Sequence, residues 1–321
     1  MTLQESIEQI MKKKQYESFD EWVCNFALNL SNIWKESSAN ELTNSTNFSK
    51  NLPAIVIGRG PSINTHNHLK LLAESDYKGN IICCDGKLID ALKAGVTPSK
   101  FPNFFVTTID PIPEVEQHYD DQIVNDFGPK IKGIFTVLTN PNVVNRARKA
   151  GIKIHWLHSL FDNNEGKKSF NQISRLIVRA KNHTNGLPAI QTGGNVGTSS
   201  WFIGWKILKC STIALIGINH GWEESDSWET ILSHGHNYDV SKGIDRNSST
   251  FEKLFKKIYN PDFNCTCILD PLFQFYSMGF KEFISRSPDW LTTINATEGG
   301  SIFGDRIQSM KFEIFLKKYT N

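Results

Sequence analysis

The sequence has little that would direct it to a membrane, to secretion or to nucleic acid. No apolar run approaches the ~20 residues that a membrane-spanning helix needs. The first residues, MTLQESIEQIMKKKQ, hold no apolar core of the kind found in secretory signals. The formal net charge is only +2, so no broadly basic surface indicates a nucleic-acid partner. We expect a cytoplasmic protein that binds neither membrane nor nucleic acid.

Cysteine is also scarce, with six in 321 residues. Cys83 and Cys84 lie inside an apolar run, and Cys210 directly precedes another, which is typical of reduced core cysteines in a cytosolic protein. Cys265 and Cys267 form a C-x-C pair, but no second pair follows at the spacing of a zinc site. The cysteines therefore favour neither a disulfide framework nor a zinc site.

From Leu52 onward, short apolar runs alternate with helical patterns, in a chain that is 39% hydrophobic and 21% charged. Continuous apolar strands are expected where both faces of a sheet are covered, and the alternation predicts an α/β fold with a mainly parallel sheet and flanking helices. The predicted strands are Ala54–Ile57, Ile81–Cys84, Phe104–Ile109, Gly133–Leu138, Ile154–Leu157 and Thr212–Ile216. The predicted helices are Ile63–Ser75, Lys87–Ala94, Val143–Ala150, Phe170–Lys181 and Val196–Leu208.

The ends of the chain differ from this central part. Residues 3–36 have apolar residues at helical spacing, and the Ser/Asn-rich segment 36–51 is typical of a linker. We divide the chain into a small helical N-terminal region with its linker (1–50), a main domain (51–305) and a C-terminal helix (306–321). The polar segment 220–250 is predicted to be a long loop or lid.

The first candidate site follows the first strand of the main domain. Gly58, Arg59, Gly60 and Ser62 lie at the point where that strand ends and a helix begins. Ligands of doubly wound sheets bind beyond the carboxyl ends of the strands, glycine lets the backbone approach a ligand, and Ser62 can cap the next helix. The stretch predicts a phosphate site with Arg59 as charge partner, and its alternative is a tight turn that binds nothing.

Two carboxylates follow other strands at the same predicted edge, Asp85 after IICC and Asp110 after FFVTTI. A carboxylate in this place can accept ribose hydroxyls, hold Mg²⁺ or act as a base. Each can also serve only as a helix cap.

A second glycine-rich entry to a helix is formed by Gly193, Gly194, Asn195 and Thr198. We predict that it contributes to a nucleotide site. The alternative is a tight turn in which Asn195 only caps the helix.

The histidines are densest between 220 and 236. His220, His234 and His236 lie there, and His234 or His236 is the preferred candidate for a general acid or base because imidazole titrates near neutral pH. A metal role for the three histidines is the alternative. Trp222, beside them, is a candidate for stacking on a base or a sugar.

Four segments in this order resemble the MptE-like family: AIVIGRGPSI, IICCDGKLIDALKAGVTPSKFPNFFVTTIDP, TGGNVGTSS with IALIGINHGW, and TTINATEGGSIFG. The family is named for 6-hydroxymethylpterin diphosphokinases, and its domain also forms the core of motility accessory factors, which look like flagellin glycosyltransferases. The resemblance spans roughly residues 52–305 and implies a Rossmann-like fold and a nucleotide-dependent transferase. It adds Asn219, where many relatives have Asp, to the nucleotide-binding candidates. Residues 295–300 follow a short apolar strand and end in a Gly pair, so they are a candidate for completing the acceptor or nucleotide pocket, and the alternative is a strand-to-helix turn.

The departures from the family pattern separate two activities. The diphosphokinases carry T-D-L-D-G at the third strand end, where this chain has Thr107-Thr108-Ile109-Asp110-Pro111, and they carry F-T-D-G-D-R where it has G-G-N-V-G-T. Because Mg²⁺ prefers carboxylates, the loss of these acids favours the motility accessory factor branch.

Three functions follow from the resemblance. The first is glycosyl transfer from a CMP-activated, nonulosonic-acid-type sugar to a small-molecule, glycan or protein acceptor, with His234, His236 and Asp110 as the catalytic candidates. The second is Mg²⁺-dependent transfer of diphosphate from ATP to a hydroxymethyl pterin, with Asp85 and Asp110 as metal ligands. The third is a non-catalytic nucleotide-binding module.

Overall fold

The computed structural model describes residues 3–44, 52–160, 169–183, 186–227, 247 and 249–319, with the backbone alone for residues 3–17, 44, 250 and 254. The strands of the described chain are β1 Ser37–Ser38, β2 Ala54–Ile57, β3 Asn80–Cys84, β4 Phe104–Thr108, β5 Lys132–Thr136, β6 Lys153–Leu160, β7 Ala189–Gln191, β8 Thr212–Ile216, β9 Trp222–Glu223, β10 Lys256–Asn260, β11 Cys265–Leu269, β12 Thr292–Asn295 and β13 Ile307–Ser309.

The main sheet is parallel between all its neighbouring strands, in the order β1-β6-β5-β4-β3-β2-β8-β12-β13, with β7 beside β6. From β2 the chain adds strands on one side as far as β6 and then returns to place β8 on the other side of β2. Ile57 of β2 is in register with both Cys83 of β3 and Ile216 of β8. The loops that follow β2 and β8 therefore meet at the topological switch point, where open α/β sheets bind their ligands.

Helices cover both faces of this sheet. The helices of the described chain are α1 Leu3–Ile33, α2 Glu41–Asn44, α3 Ser62–Thr65, α4 His68–Glu74, α5 Leu88–Lys93, α6 Gln122–Phe127, α7 Pro141–Lys149, α8 Phe170–Arg179, α9 Val196–Phe202, α10 Ser249–Leu254, α11 Pro271–Ser285 and α12 Phe312–Tyr319. Of these, α10 packs with the small sheet formed by β9, β10 and β11. Alternate residues of β2 face different apolar cores, with Ile55 and Ile57 in one and Ala54 and Val56 in the other. This two-sided burial is the reason that the strands read as continuous apolar runs.

The α/β prediction is confirmed, and Ala54–Ile57 and Thr212–Ile216 are strands with the predicted bounds. The predicted helix Ile63–Ser75 is instead two helices, because Asn67 takes a left-handed conformation with φ 51°. Helix α9 ends at Phe202 and continues as a π-helical turn, Ile203–Ile207. The sequence did not predict the small antiparallel sheet β10-β11-β9, whose strands carry no clear alternation.

The N-terminal helix packs on the main domain. Phe26 and Ile33 are buried in one of the two cores. Asn25 Nδ2 donates to the carbonyl oxygens of Pro111 and Leu138 at 3.0 and 3.1 Å. Part of the expected linker is ordered as β1 and α2, and β1 adds to the edge of the sheet beside β6.

All six cysteines are free thiols, and four of them are buried: Cys83, Cys84, Cys210 and Cys267. In the part of the chain that the structure describes, no helix has both the length and the apolar character to cross a bilayer.

Candidate functional site

A cleft of about 290 Å³ opens at the carboxyl edge of the sheet, over the switch point. Its walls come from the loops after β2, β3, β4 and β8, from the entry to α9 and from the first turns of α11. Small-molecule sites begin at about this size. The sequence-predicted residues that line the cleft are Gly58, Arg59, Gly60, Asp85, Asp110, Gly194, Asn195 and Asn219.

The glycines after β2 allow two backbones to approach each other closely. The N–H groups of Gly58 and Gly60 donate to the carbonyl oxygens of Ile216 and Gly217, each at 2.8 Å. A Cβ on Gly58 would lie 2.3 Å from the Gly217 oxygen, and Gly217 itself has φ +64°. These glycines therefore join the two loops. We expected their amides to hold phosphate, but the amides already donate to backbone carbonyls and are not available for it.

Charged groups gather on one side of the cleft. Gly86 lies between Arg59 and His118, since a Cβ on it would be 3.0 Å from Arg59 Cδ and 3.5 Å from His118 Nε2. Asp85, on the same turn, is buried, and its Oδ1 accepts from the Gly86 N–H at 2.7 Å. Asp110, at the end of the neighbouring strand, also lines the cleft. The side therefore holds two carboxyls, one guanidinium and one imidazole.

The two carboxyls hold protons far more tightly than free aspartate. Burial raises the pKa of Asp85 to about 6, against the opposing effects of the Thr108 hydroxyl, the Gly86 N–H and Arg59. Burial, together with the charge of Asp85, raises the pKa of Asp110 to about 7, and Arg59 opposes this rise too. Burial and the charge of Arg59 lower the pKa of His118. Near neutral pH the pair is thus poised to take up or release a proton, as acid–base groups of enzymes are.

Several predicted residues have structural partners. We expected Ser62 to cap the helix that follows β2, but it does not cap α3. Its hydroxyl instead donates to Asn219 Oδ1 at 2.9 Å. Asn195 caps α9, with Oδ1 accepting from the Thr198 N–H at 2.9 Å. Thr198 is fully buried, and its hydroxyl accepts from Asn195 Nδ2 at 3.1 Å. Gly193 supplies the turn before α9 with φ +57° and, like Ser62 and Thr198, is not among the lining residues.

The opposite side of the cleft is aromatic. His220, Trp222, Phe273 and Tyr276 line it. His220 is buried with φ 43°, and burial lowers its pKa to about 3, so its ring is neutral.

Of the remaining sequence predictions, one lies outside the described residues and one is away from the cleft. His234 and His236, the preferred catalytic histidines, lie outside the described residues, as does most of the expected lid. The segment 295–300 forms a turn of its own, in which Asn295 Oδ1 accepts from the Thr297 N–H and Asn295 Nδ2 donates to the Gly299 carbonyl. Its residues are not among those that line the cleft, so the expectation that it completes the pocket was wrong.

Within the described ranges, no three His, Cys, Asp or Glu side chains lie together as a metal-binding group. Asp85 and Asp110 fit Mg²⁺ only in the manner of sites that take one or two carboxylates and complete the shell with substrate phosphates and water. Asp85 Oδ2, which is buried and has no hydrogen-bond partner among the described residues, is available for such a role.

Sequence reasoning missed His118, Phe273 and Tyr276. No sequence motif marks them, because they reach the cleft from a 3₁₀ segment, Pro113–Tyr119, and from the start of α11. When a helix carries no recognised motif, its sequence does not indicate which of its side chains will face a cleft.

Comparison with solved structures finds a protein of similar fold. The solved structure described as "Structure of MAf glycosyltransferase from Magnetospirillum magneticum AMB-1" aligns with a TM-score of 0.56 at 12% identity, over 91% of this chain and 41% of that one. The present chain thus spans less than half the length of that protein, and the likeness is one of fold. No curated protein matches the chain.

A family profile gives the stronger result. The profile described as "6-hydroxymethylpterin diphosphokinase MptE-like" matches residues 24–225, more than half of the chain. The match starts inside α1 and includes the loops after β2, β3, β4 and β8 that form the cleft. The chain therefore belongs to the 6-hydroxymethylpterin diphosphokinase MptE-like family.

Proposed function

We propose that the chain is a glycosyltransferase whose donor is a nucleotide-activated sugar, with CMP-activated nonulosonic acids as the donor class. Membership of the family and the fold likeness to a protein described as a glycosyltransferase support a transferase. The observation that carries the proposal is the carboxyl pair, Asp85 and Asp110, beside Arg59 in the switch-point cleft.

Transfer breaks the bond between the anomeric carbon and the donor phosphate oxygen and forms a bond from that carbon to the acceptor oxygen. The acceptor hydroxyl must lose a proton, and the departing CMP carries away the bonding electron pair. In this proposal the proton passes to Asp110, since a base with a pKa of about 7 is matched to neutral pH. Arg59 stabilises the negative charge that grows on the phosphate.

These roles differ from those that the sequence predicted. The phosphate contact moves from the amides of Gly58 and Gly60 to the Arg59 guanidinium, because both amides already donate to backbone carbonyls. The base becomes Asp110, at the cleft, in place of His234 or His236. Asn195 shapes the cleft as a helix cap.

The competing function is diphosphate transfer from ATP to a hydroxymethyl pterin, which the family's description favours. Mg²⁺, held by Asp85 and Asp110, would supply charge neutralisation to the phosphates in that reaction. The glycosyl transfer leaves the metal optional, because the cytidylate is already a good leaving group.

Ligand binding and turnover together test the proposal. Thermal denaturation is followed with CMP, with CDP, and with ATP, Mg²⁺ and 6-hydroxymethyl-dihydropterin. A ligand at 100 times its Kd adds about 2.7 kcal/mol to the free energy of unfolding. We expect CMP or CDP to stabilise the protein, and CMP-N-acetylneuraminic acid to be cleaved to CMP with a rate that rises as pH increases through about 7.

Arg59→Ala should weaken CMP binding by about 10–100-fold, since hydrogen bonds to charged groups contribute about 1.5–3 kcal/mol. Arg286→Ala is the matched control, because the Arg286 side chain is 76% exposed and pairs with Glu282, one helical turn away. Stabilisation by ATP, Mg²⁺ and pterin but not by CMP would refute the glycosyltransferase proposal and favour the diphosphokinase function. Binding of CMP with no cleavage of any donor would leave a nucleotide-binding module.

A further inference from the structure

One side of the cleft is walled by aromatic rings that the catalytic proposal does not use. The rings of His220 and Phe273 are close to parallel, with centroids 6.2 Å apart and planes at 24°. Trp222 meets Phe273 edge-on at 5.2 Å, and Tyr276 lies 6.2 Å from His220. Rings in such arrangements offer flat apolar faces and edges to a planar ligand.

The same wall holds polar atoms that have no partner within the described residues. Asn219 Nδ2 and His220 Nδ1 are buried and make no hydrogen bond there, although Asn219 and His220 are only 3% and 7% exposed. Asn219 Oδ1 already accepts from Ser62, which leaves the amide nitrogen to donate elsewhere. A buried polar atom without a partner destabilises the fold, so a ligand that forms hydrogen bonds with these two atoms gains binding free energy.

The backbone holds this pair of residues firmly. The Ser301 hydroxyl lies within hydrogen-bond distance of the carbonyl oxygens of Asn219 and His220, at 3.2 and 2.9 Å. The Ser301 N–H also donates to the Asn219 carbonyl at 2.8 Å. The backbone of both residues is therefore held in place before any ligand arrives, which lowers the cost of ordering the site on binding.

Charge divides the cleft into two parts. The groups that carry charge or titrate near neutral pH, Arg59, Asp85 and Asp110, come from the loops after β2, β3 and β4. The aromatic wall comes from the loop after β8 and from α11, and its His220 ring is neutral because burial lowers its pKa to about 3. An uncharged, flat and hydrogen-bonding wall suits a heteroaromatic ring better than a phosphate or a carboxylate.

We propose that the wall formed by His220, Trp222, Phe273 and Tyr276 is a specificity pocket for a planar heteroaromatic ring, which stacks on the aromatic side chains and pairs its polar edge with Asn219 Nδ2 and His220 Nδ1. The inference rests on the proposed function, in which the ring is the base of the nucleotide donor and its phosphate lies toward Arg59.

The test compares CMP with ribose 5-phosphate, which has the same sugar phosphate and no base. Isothermal titration on the full chain should give CMP a Kd at least tenfold below that of ribose 5-phosphate. Phe273→Leu should weaken CMP by about tenfold, in line with the measured worth of stacking a base on an aromatic ring, and leave ribose 5-phosphate unchanged. Phe283→Leu, on the same helix but packed against Phe202 in the second core, is the matched control and should keep the ratio.

A second variant separates recognition from folding. His220→Phe keeps a ring in place and removes both ring nitrogens, so it should also weaken CMP selectively, while circular dichroism shows an unchanged fold. Equal affinity for CMP and ribose 5-phosphate, or a ratio that survives both variants, would refute the ring pocket and leave the donor class standing.

The remaining outcomes concern the donor. If 6-hydroxymethylpterin binds with the same dependence on Phe273 and His220 while CMP does not, the ring pocket is upheld and the CMP-sugar donor is refuted. If none of CMP, ribose 5-phosphate and the pterin binds, the pocket and the donor are both refuted.

Discussion

Replacement of Asp110 by asparagine should stabilise the protein, and by an amount that depends on pH. The pKa of the Asp110 carboxyl is about 7 in the folded chain against an ordinary value of 3.8. A tenfold change in proton affinity corresponds to about 1.36 kcal/mol, so full ionisation of this group costs the fold up to about 4 kcal/mol. Asp110 is only partly buried and shares its environment with Asp85, so we expect a gain of about 1–3 kcal/mol.

The sign of the pH dependence follows from the raised pKa. As pH rises from about 4 to about 7, the unfolded chain loses the proton while the folded chain keeps it, so this group destabilises the fold increasingly. Asparagine carries no charge at any pH. The stabilising effect of Asp110→Asn should therefore be largest above pH 7 and disappear near pH 4.

Urea denaturation followed by circular dichroism at pH 8, 6 and 4.5 measures the effect. Asp126→Asn is the control, because Asp126 is an exposed residue of α6 whose Oδ1 accepts a hydrogen bond from Gln122 Nε2 on the same helix. Loss of stability in Asp110→Asn at pH 8, or a gain that is equal at all three pH values, would refute the account of a repelling carboxyl pair.

Two further substitutions test the framework of the cleft. Gly58→Ala should destabilise the fold by more than about 2 kcal/mol, since the added Cβ would lie 2.3 Å from the Gly217 carbonyl oxygen. The control is Gly279→Ala, in a helix with nothing within 4 Å of the new Cβ, which should stabilise the fold by about 0.5–1 kcal/mol. Similar shifts of the urea midpoint in the two variants would contradict this expectation. Asn25→Ala should cost about 1–3 kcal/mol because it leaves two backbone carbonyls without their donor. Leu28→Ala on the same helix, where the side chain is 67% exposed, should change little, and an equal loss in both would show that the Asn25 contacts contribute nothing.

The acid pair shows how function constrains stability. Two neighbouring carboxyls whose protons are held this tightly oppose folding at neutral pH, and asparagine at either position would relieve the conflict. A site that keeps both acids beside Arg59 is organised for proton transfer and anion binding, as enzyme sites commonly are.

The sequence by itself determined the layers of the fold and the edge at which the site lies. Strands buried on both faces leave a continuous apolar run, as in Ala54–Ile57, and parallel connections bring all their carboxyl ends to one edge. Local pattern therefore sufficed to predict that Gly58, Asp85, Asp110 and Gly194 lie at one edge of the sheet, and all four line the cleft.

Only the tertiary structure decided what each group in the cleft is able to do. Whether the Gly58 amide is available depends on how close β8 lies, whether Asp110 keeps its proton depends on burial beside Asp85, and whether His118 and Tyr276 face the ligand depends on segments far away in the chain. Hydrogen-bond partners, desolvation and charge–charge distances arise between residues that are distant in sequence. Local patterns of polar residues and glycines therefore cannot predict these interactions.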